Sequence, residues 1–273
     1  MSAQAGIQAD LFCGPLAAAV EGAGGVRIVH DVPAVNARRL RERELDAAFL
    51  SPLDFARDSA GYLLAGHAGA VSRGGNGLIT LHFRDNLHTI RTLAADPSSA
   101  SEIVLARIVL GEEFETVPAI VPVRGSLEEM LAKADGALLA GDAALRGTHA
   151  HRTWVDLVDL WHDMTDLPFV HGCWVTREGG LAPEAAASFD APARPAGNPG
   201  ALVLGASGGT REGMDPEDYF PLIAYRLDEE ALRGFREFLH YAYYHGVIRD
   251  IPEMAFLGEG GGPPPPAAHS SLS

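Results

Sequence analysis

Positive charge, cysteine and long apolar runs are all scarce in this sequence. Its 273 residues include 21 Lys and Arg against 36 Asp and Glu, and Lys133 is the only lysine. The resulting formal net charge of −15 at pH 7 disfavours nonspecific attraction to nucleic-acid phosphates or anionic lipids. We therefore expect no nucleic-acid partner and no membrane partner.

The two cysteines, Cys13 and Cys173, are too few for a disulfide framework. No apolar run approaches the ~20 residues that a membrane-spanning helix needs. Residues 1–20 lack the basic start of a signal peptide, and Asp10 and Pro15 interrupt their apolar stretch. These features predict a cytoplasmic protein.

What is present is ordinary globular composition, with 47% hydrophobic and 21% charged residues. Short apolar runs alternate with helical stretches, which is typical of an α/β fold with largely parallel strands. The candidate strands are residues 27–30, 47–50, 78–83, 93–95, 116–121, 137–139 and 169–175. The final helix is the best marked, because Asp228 can cap its start and Gly246 can end it.

Two predicted helices begin with residues that suit an anion site. One opens on Ser98, Ser99, Ala100 and Ser101. The first turn of a helix has unpaired N–H groups at the positive end of the dipole, so it can bind a small anion. The alternative is that these serines only cap the helix, as Ser99 and Glu102 would in a capping box. The other helix start, Ser51 and Pro52, follows a candidate strand. Together they predict a cleft that holds a small anion.

Residues 73–77, rich in glycine, lack a P-loop lysine and favour a tight turn over close approach to a ligand. The next strand places Thr80, His82 and Arg84 on one face, where they would donate to an anion if that face meets the cleft. We expect no metal site, because His149-x-His151 and His162 lack a Cys or carboxylate at zinc-ligand spacing.

A G-x-S-x-G motif at residues 205–209 suggests a serine hydrolase, with Ser207 as nucleophile and His240 or His245 as base. The nucleophile elbow needs a helix immediately after the serine, and the residues that follow Ser207 are poor helix formers. The hydrolase is therefore a minor alternative to a flexible loop.

Several segments, in the same order, resemble the menaquinone-biosynthesis chorismate dehydratase family. The residues around Gly141-Asp142 resemble its I-G-D-x-A-L segment, and residues 161–175 resemble its W-x-x-x-T-G-L-P-F-V-x-A-x-W-V segment. Residues 50–56, 98–101 and 219–228 resemble its S-S-I-E-Y-A, S-R-T-S and Y-F-x-x-I-x-Y-x-L-D segments. The resemblance spans about residues 6 to 251.

The resemblance implies the two-lobed α/β fold of type II periplasmic-binding proteins, with a ligand cleft between the lobes. The implied lobes are residues 1–91 plus 172–257 and residues 92–171, followed by a disordered tail over 258–273. The implied activity is a cofactor-independent hydro-lyase of the futalosine pathway, which converts chorismate into 3-[(1-carboxyvinyl)oxy]benzoate. A sister family that acts on cyclic dehypoxanthinyl futalosine ranks lower, because its N-terminal signature is not visible here.

The resemblance also implies site residues. Asp142 and Thr80 are the catalytic candidates, with the substrate's own carboxylate as the alternative base to Asp142. The substrate-binding candidates are Phe12, Ser51, Pro52, Ser98, Ser99, Ala100, Ser101 and Gly141. Phe12 stands where the family has asparagine, and Ile79 where it has serine. These two residues favour a second hypothesis, a noncatalytic binding protein for small carboxylates.

Overall fold

Two mixed β-sheets form the frame of this computed structural model, which describes residues 2–57, 61–147, 153–193 and 222–258. The first sheet has the strand order β11-β4-β10-β3-β1-β2. It comprises β1 (Ala3–Ile7), β2 (Val26–His30), β3 (Ala47–Leu50), β4 (Tyr62–Ser72), β10 (Phe169–Arg177) and β11 (Ile223–Arg226). The second has the order β7-β6-β8-β5-β9. It comprises β5 (Ile79–Phe83), β6 (Thr92–Ala95), β7 (Ala119–Pro122), β8 (Gly136–Ala140) and β9 (Trp154–Asp156).

Helices cover both sheets. They are α1 (Gly14–Ala23), α2 (Pro33–Arg41), α3 (Pro52–Arg57), α4 (Ala100–Phe114), α5 (Leu127–Leu131), α6 (Asp142–Gly147), α7 (Leu157–Thr165), α8 (Pro183–Ala186) and α9 (Glu229–Tyr244). In the part of the chain that the structure describes, no helix combines the length and apolarity that crossing a membrane requires.

The α/β prediction is confirmed, but the prediction of largely parallel strands is wrong. Parallel pairing is confined to β1 with β2 and β3, and to β6 with β7 and β8, among the described strands. The strands next to the two crossings between the sheets, namely β4, β5, β9 and β10, pair antiparallel with their neighbours. The prediction used the alternation of strands and helices along the sequence. That alternation does not determine the direction of a strand next to a crossing, which depends on the sheet that the strand joins.

The chain crosses between the sheets twice, after Ser72 and again before Phe169. Asp156 Oδ2 accepts hydrogen bonds from the N–H groups of Asn76, at 2.9 Å, and Gly77, at 2.7 Å, so the two crossings are held together. The glycine-rich segment is therefore a turn at a crossing. Because β5 belongs to the second sheet, the sheets change earlier in the chain than the lobe boundary predicted at residue 91.

Two helix starts show how local sequence and structure agree or differ. Asp228 caps α9, since its side chain accepts from the N–H of Ala231 at 2.9 Å, as predicted. The capping box predicted for Ser99 is not formed, because the side chain of Ser99 makes no cap hydrogen bond. The side chain of Ser99 therefore occupies none of the N–H groups in the first turn of α4.

Candidate functional site

A cavity of about 290 Å³ lies between the two sheets and is lined by residues from both. Its walls come from the segments that follow β1, β3, β6 and β8, together with the start of β5 and the middle of β10. The carboxyl ends of these parallel-paired strands therefore meet at one crevice, as open α/β sheets require of a ligand site. Among the predicted site residues, the lining includes Phe12, Ser51, Ser98, Ser99, Ala100, Ser101, Gly141 and Asp142.

The N-terminus of α4 lines this cavity and includes one unsatisfied hydroxyl, that of Ser101. The Oγ of Ser101 is buried, with the residue 5% exposed, and has no hydrogen-bond partner among the described residues. A buried polar atom without a partner is costly unless a ligand satisfies it. Ser98 is already engaged, since its hydroxyl donates to Asp96 Oδ1 at 2.6 Å. The anion site predicted at this helix start thus rests on Ser101 and the backbone.

At the second predicted helix start, the hydroxyl of Ser51 is engaged by Asp54 of the same helix start. The Oγ of Ser51 donates to Asp54 Oδ2 at 2.8 Å and accepts from the N–H of Asp54 at 3.2 Å. Pro52 is buried at the first position of α3 and is not among the residues that line the cavity. The structure therefore does not bring Pro52 together with the other predicted substrate-binding residues.

Asp142 and Gly141 join the two sheets across the cavity. Asp142 Oδ1 accepts from the N–H of Leu11 at 3.0 Å, and the N–H of Asp142 donates to Asp10 Oδ1 at 3.3 Å. Gly141 has φ +57°, and a Cβ at this position would lie 2.4 Å from Asp10 Oδ1. Glycine is therefore required both by the backbone conformation and by the approach of Asp10.

The cavity is acidic, which the sequence reasoning missed apart from Asp142. Burial raises the pKa of Asp10, and the charge of Asp142 adds to this effect. Burial likewise raises the pKa of Asp54. The pKa of Glu102 rises to about 7, mainly through burial, with further contributions from the charges of Asp10 and Asp54. The local signal for Asp54 and Glu102 is their position three residues after a serine that starts a helix, which by itself predicts only a cap.

An apolar wall faces these carboxyl groups. The rings of Phe12 and His171 lie 5.7 Å apart, and Ile79 also lines the cavity. Burial lowers the pKa of His171 to about 3, so its ring is neutral, and its Nε2 lies 2.7 Å from Ser72 Oγ. Both positions at which this chain departs from the resembled family therefore face the cavity.

Thr80 is not brought to the cavity. Successive side chains of a strand point to opposite faces, so Ile79 faces the cavity and Thr80 faces away from it. Thr80 is fully buried, with its Oγ1 3.1 Å from Nε2 of His82. The geometry therefore does not support the predicted catalytic role of Thr80.

Of the remaining motif residues, His240 and His245 are not in the cavity lining. Ser207, His149 and His151 lie outside the described residues. The ring of His245 pairs with Glu112 at 2.8 Å, and that of His240 lies 3.3 Å from Glu237. Across residues 2–57, 61–147, 153–193 and 222–258, no group of three or more His, Cys, Asp or Glu side chains has the arrangement of a metal site.

The chain has a fold of the periplasmic-binding-protein type, with two mixed α/β sheets and a cavity between them. Solved structures of similar fold include a protein from Archaeoglobus fulgidus, with a TM-score of 0.68 and 16% identity over 90% of this chain and 98% of that one. A second is an ABC transporter protein from Parabacteroides distasonis, with a TM-score of 0.62 and 19% identity over 95% of this chain and 99% of that one. A third, the ligand-binding component of an ABC-type import system from Staphylococcus aureus, has a TM-score of 0.60 and 13% identity over 92% and 94%.

The chain belongs to the menaquinone biosynthesis family, whose sequence model matches residues 4–244. A curated relative, the chorismate dehydratase of Thermus thermophilus, is 27% identical over 236 residues, which are 78% of this chain and 86% of that protein. The resemblance seen in the sequence and the two-lobed fold class are both confirmed by these matches.

Proposed function

We propose that this protein is a chorismate dehydratase, which removes water from chorismate and yields 3-[(1-carboxyvinyl)oxy]benzoate. Membership of the menaquinone biosynthesis family and the Thermus thermophilus relative support the proposal. The structural observation that carries it is the buried, unpartnered hydroxyl of Ser101 in the open first turn of α4, at a cavity of about 290 Å³ between the sheets of the described chain. That arrangement suits a substrate carboxylate.

Each wall of the cavity has a role in this reaction. The N–H groups of α4 and the Ser101 hydroxyl bind one carboxylate, and Arg146 in the lining offsets charge. Phe12, Ile79 and the neutral ring of His171 pack against the hydrocarbon ring. Because formation of an aromatic ring supplies the driving force, the protein has mainly to position the substrate and transfer protons.

Asp142 is our candidate base, with the substrate's own carboxylate as the alternative. The N–H of Leu11 holds one oxygen of Asp142 and fixes its orientation at the cavity. Loss of water with aromatisation passes no electrons to an acceptor, so the proposed reaction includes no redox cofactor. We also propose that the protein acts in the cytoplasm.

Incubation with chorismate tests the proposal. We expect the ultraviolet spectrum of an aromatic product to appear. The mass of this product should be lower than that of chorismate by one water molecule. The variant Ser101→Ala should form product with a higher KM, whereas Ser98→Ala should resemble the wild type, because the Ser98 hydroxyl serves Asp96. The absence of product under conditions in which the Thermus thermophilus enzyme turns over would disprove the proposed activity.

A noncatalytic carboxylate-binding protein is the second candidate. Phe12 and Ile79 favour it, because both place hydrocarbon in the cavity wall where the resembled family has polar side chains. It predicts that chorismate and other dicarboxylates raise the melting temperature without any product. Product formation by the purified wild type excludes this candidate.

A further inference from the structure

One carboxyl group in the cavity differs from the rest in its hydrogen bonding. Four of the five acidic residues in the lining accept from a nearby donor: Asp10 from Asp142, Asp54 from Ser51, Asp96 from Ser98 and Asp142 from Leu11. For Glu102, among the described residues, only its own backbone N–H lies close enough to bond its carboxyl group. Among the five, Glu102 is therefore the residue whose carboxyl group accepts no hydrogen bond from another described residue.

Glu102 is also placed where a substrate would lie. It is the third residue of α4 and directly follows Ser101, the residue to which we assign the substrate carboxylate. A helix that anchors an anion at its first turn thus presents Glu102 to the same bound molecule. Glu102 is partly buried, and it shares the lining with the apolar side chains of Phe12 and Ile79.

The surroundings of Glu102 favour its neutral form. Burial is the largest cause, and the charges of Asp10 and Asp54 act in the same direction, so the pKa rises to about 7. The other ionisable groups in the lining are Asp96, Asp142, Arg146 and His171. A carboxyl group with this pKa carries a proton on a large fraction of molecules at neutral pH, as a general acid requires.

We propose that Glu102 is the catalytic acid that protonates the hydroxyl group leaving from the substrate ring. This role rests on the proposed dehydration. A base takes the ring proton from the carbon next to the hydroxyl-bearing carbon, and the electron pair of that C–H bond becomes the new ring double bond. The C–O bond breaks with its electron pair on oxygen, and the proton of Glu102 completes the water molecule. The Glu102 carboxylate then regains a proton from the base or solvent, so the cycle is balanced.

A proton donor is needed at this point because hydroxide is a poor leaving group. General acid catalysis contributes typically about 10²–10⁴-fold to a rate. Donation by Glu102 also removes a conflict in the site, because a neutral carboxyl group does not repel a dianionic substrate as a carboxylate would.

The variant Glu102→Gln tests this role, with Glu113→Gln as the matched control, since Glu113 is exposed on the same helix. We expect Glu102→Gln to lower kcat about 10²–10⁴-fold with KM changed only a few-fold. The wild-type kcat/KM, whose pH profile reports the free protein, should decline as the pH rises above about 7, and Glu102→Gln should lose this alkaline decline. Glu102→Asp, which retains an acid, should recover part of the rate, and Glu113→Gln should match the wild type.

The outcomes separate this role from the proposed function. A wild type that makes no product overturns both. An active wild type together with a Glu102→Gln variant that has near-normal kcat and the same alkaline decline overturns the role of Glu102 alone. Melting temperatures at pH 6 check folding. If Glu102→Gln does not fold, the wild-type pH profile and Glu102→Asp decide, and a wild-type kcat/KM that stays constant to pH 9 overturns the role.

Discussion

Asp10 and Asp142 contact each other across the cavity, the N–H of Asp142 donating to Asp10 Oδ1 at 3.3 Å. Asp142 in turn accepts from the N–H of Leu11, the residue after Asp10, at 3.0 Å. This reciprocal contact joins the end of β1 in the first sheet to the end of β8 in the second. It also places two carboxyl groups close together, which raises the pKa of Asp10 beyond the effect of burial.

The variant Asp10→Asn should shift the alkaline decline of kcat/KM to lower pH. The charge of Asp10 raises the pKa of Glu102, so its removal lowers that pKa. Asn retains an oxygen that accepts from the N–H of Asp142, so the contact between the sheets is kept. The measurement is kcat/KM against pH, with Asp85→Asn, an exposed aspartate, as the control. A decline at unchanged pH in Asp10→Asn would contradict the coupling.

The variant Gly141→Ala should destabilise the protein by about 2–4 kcal/mol. The positive φ of +57° disfavours alanine by about 1 kcal/mol, and the clash of the new Cβ with Asp10 Oδ1 adds to this cost. Gly179→Ala is the matched control, because Gly179 has φ +69° and no described atom lies within 4 Å of the place that an alanine Cβ would take. Urea unfolding of both variants separates the two contributions, and equal losses would show that the Asp10 contact is unimportant.

The variant Glu102→Gln should change how stability depends on pH. The folded-state pKa of about 7 exceeds the ordinary value of 4.5, so the folded wild type binds more protons than the unfolded chain between these values. The favourable contribution is present below pH 4.5 and is lost as the pH rises through 7. We expect the free energies of unfolding of variant and wild type to be similar at pH 5, and the variant to be more stable at pH 8 by up to about 3 kcal/mol. A constant difference between pH 5 and pH 8 would be inconsistent with a neutral Glu102.

The variant Ser101→Ala should weaken substrate binding without loss of stability. The hydroxyl has no partner among the described residues, so its removal from the free protein breaks no hydrogen bond there. A hydrogen bond to a charged carboxylate contributes about 1.5–3 kcal/mol, which corresponds to a rise of about ten- to hundredfold in the dissociation constant. The KM for chorismate and a thermal melt measure the two effects. Unchanged affinity would mean that the carboxylate binds elsewhere.

Sequence patterns predicted the structure correctly where it depends on residues close together in the chain. The strand Ala47–Leu50 is apolar throughout and the cap at Asp228 is formed as predicted, because hydrophobic runs and capping side chains act over a few residues. The strand Tyr62–Ser72 is not among the predicted strands, since it is rich in alanine and glycine, which have low strand propensity. Its Gly66 is needed because a Cβ there would lie 2.6 Å from the carbonyl oxygen of Phe189, a contact that only the fold creates.

The sequence by itself determined the α/β class, the helix start at Ser98 to Ser101 and the family resemblance through Gly141-Asp142. Each of these depends on residues that are consecutive or close together in the chain. Only the tertiary structure decided that Ile79 rather than Thr80 faces the cavity, and that the hydroxyl of Ser101 has no partner among the described residues. It also decided the protonation of Glu102, whose pKa depends on burial and on the charges of Asp10 and Asp54. Those residues lie far from Glu102 in the chain, and folding alone brings their charges within range of one another.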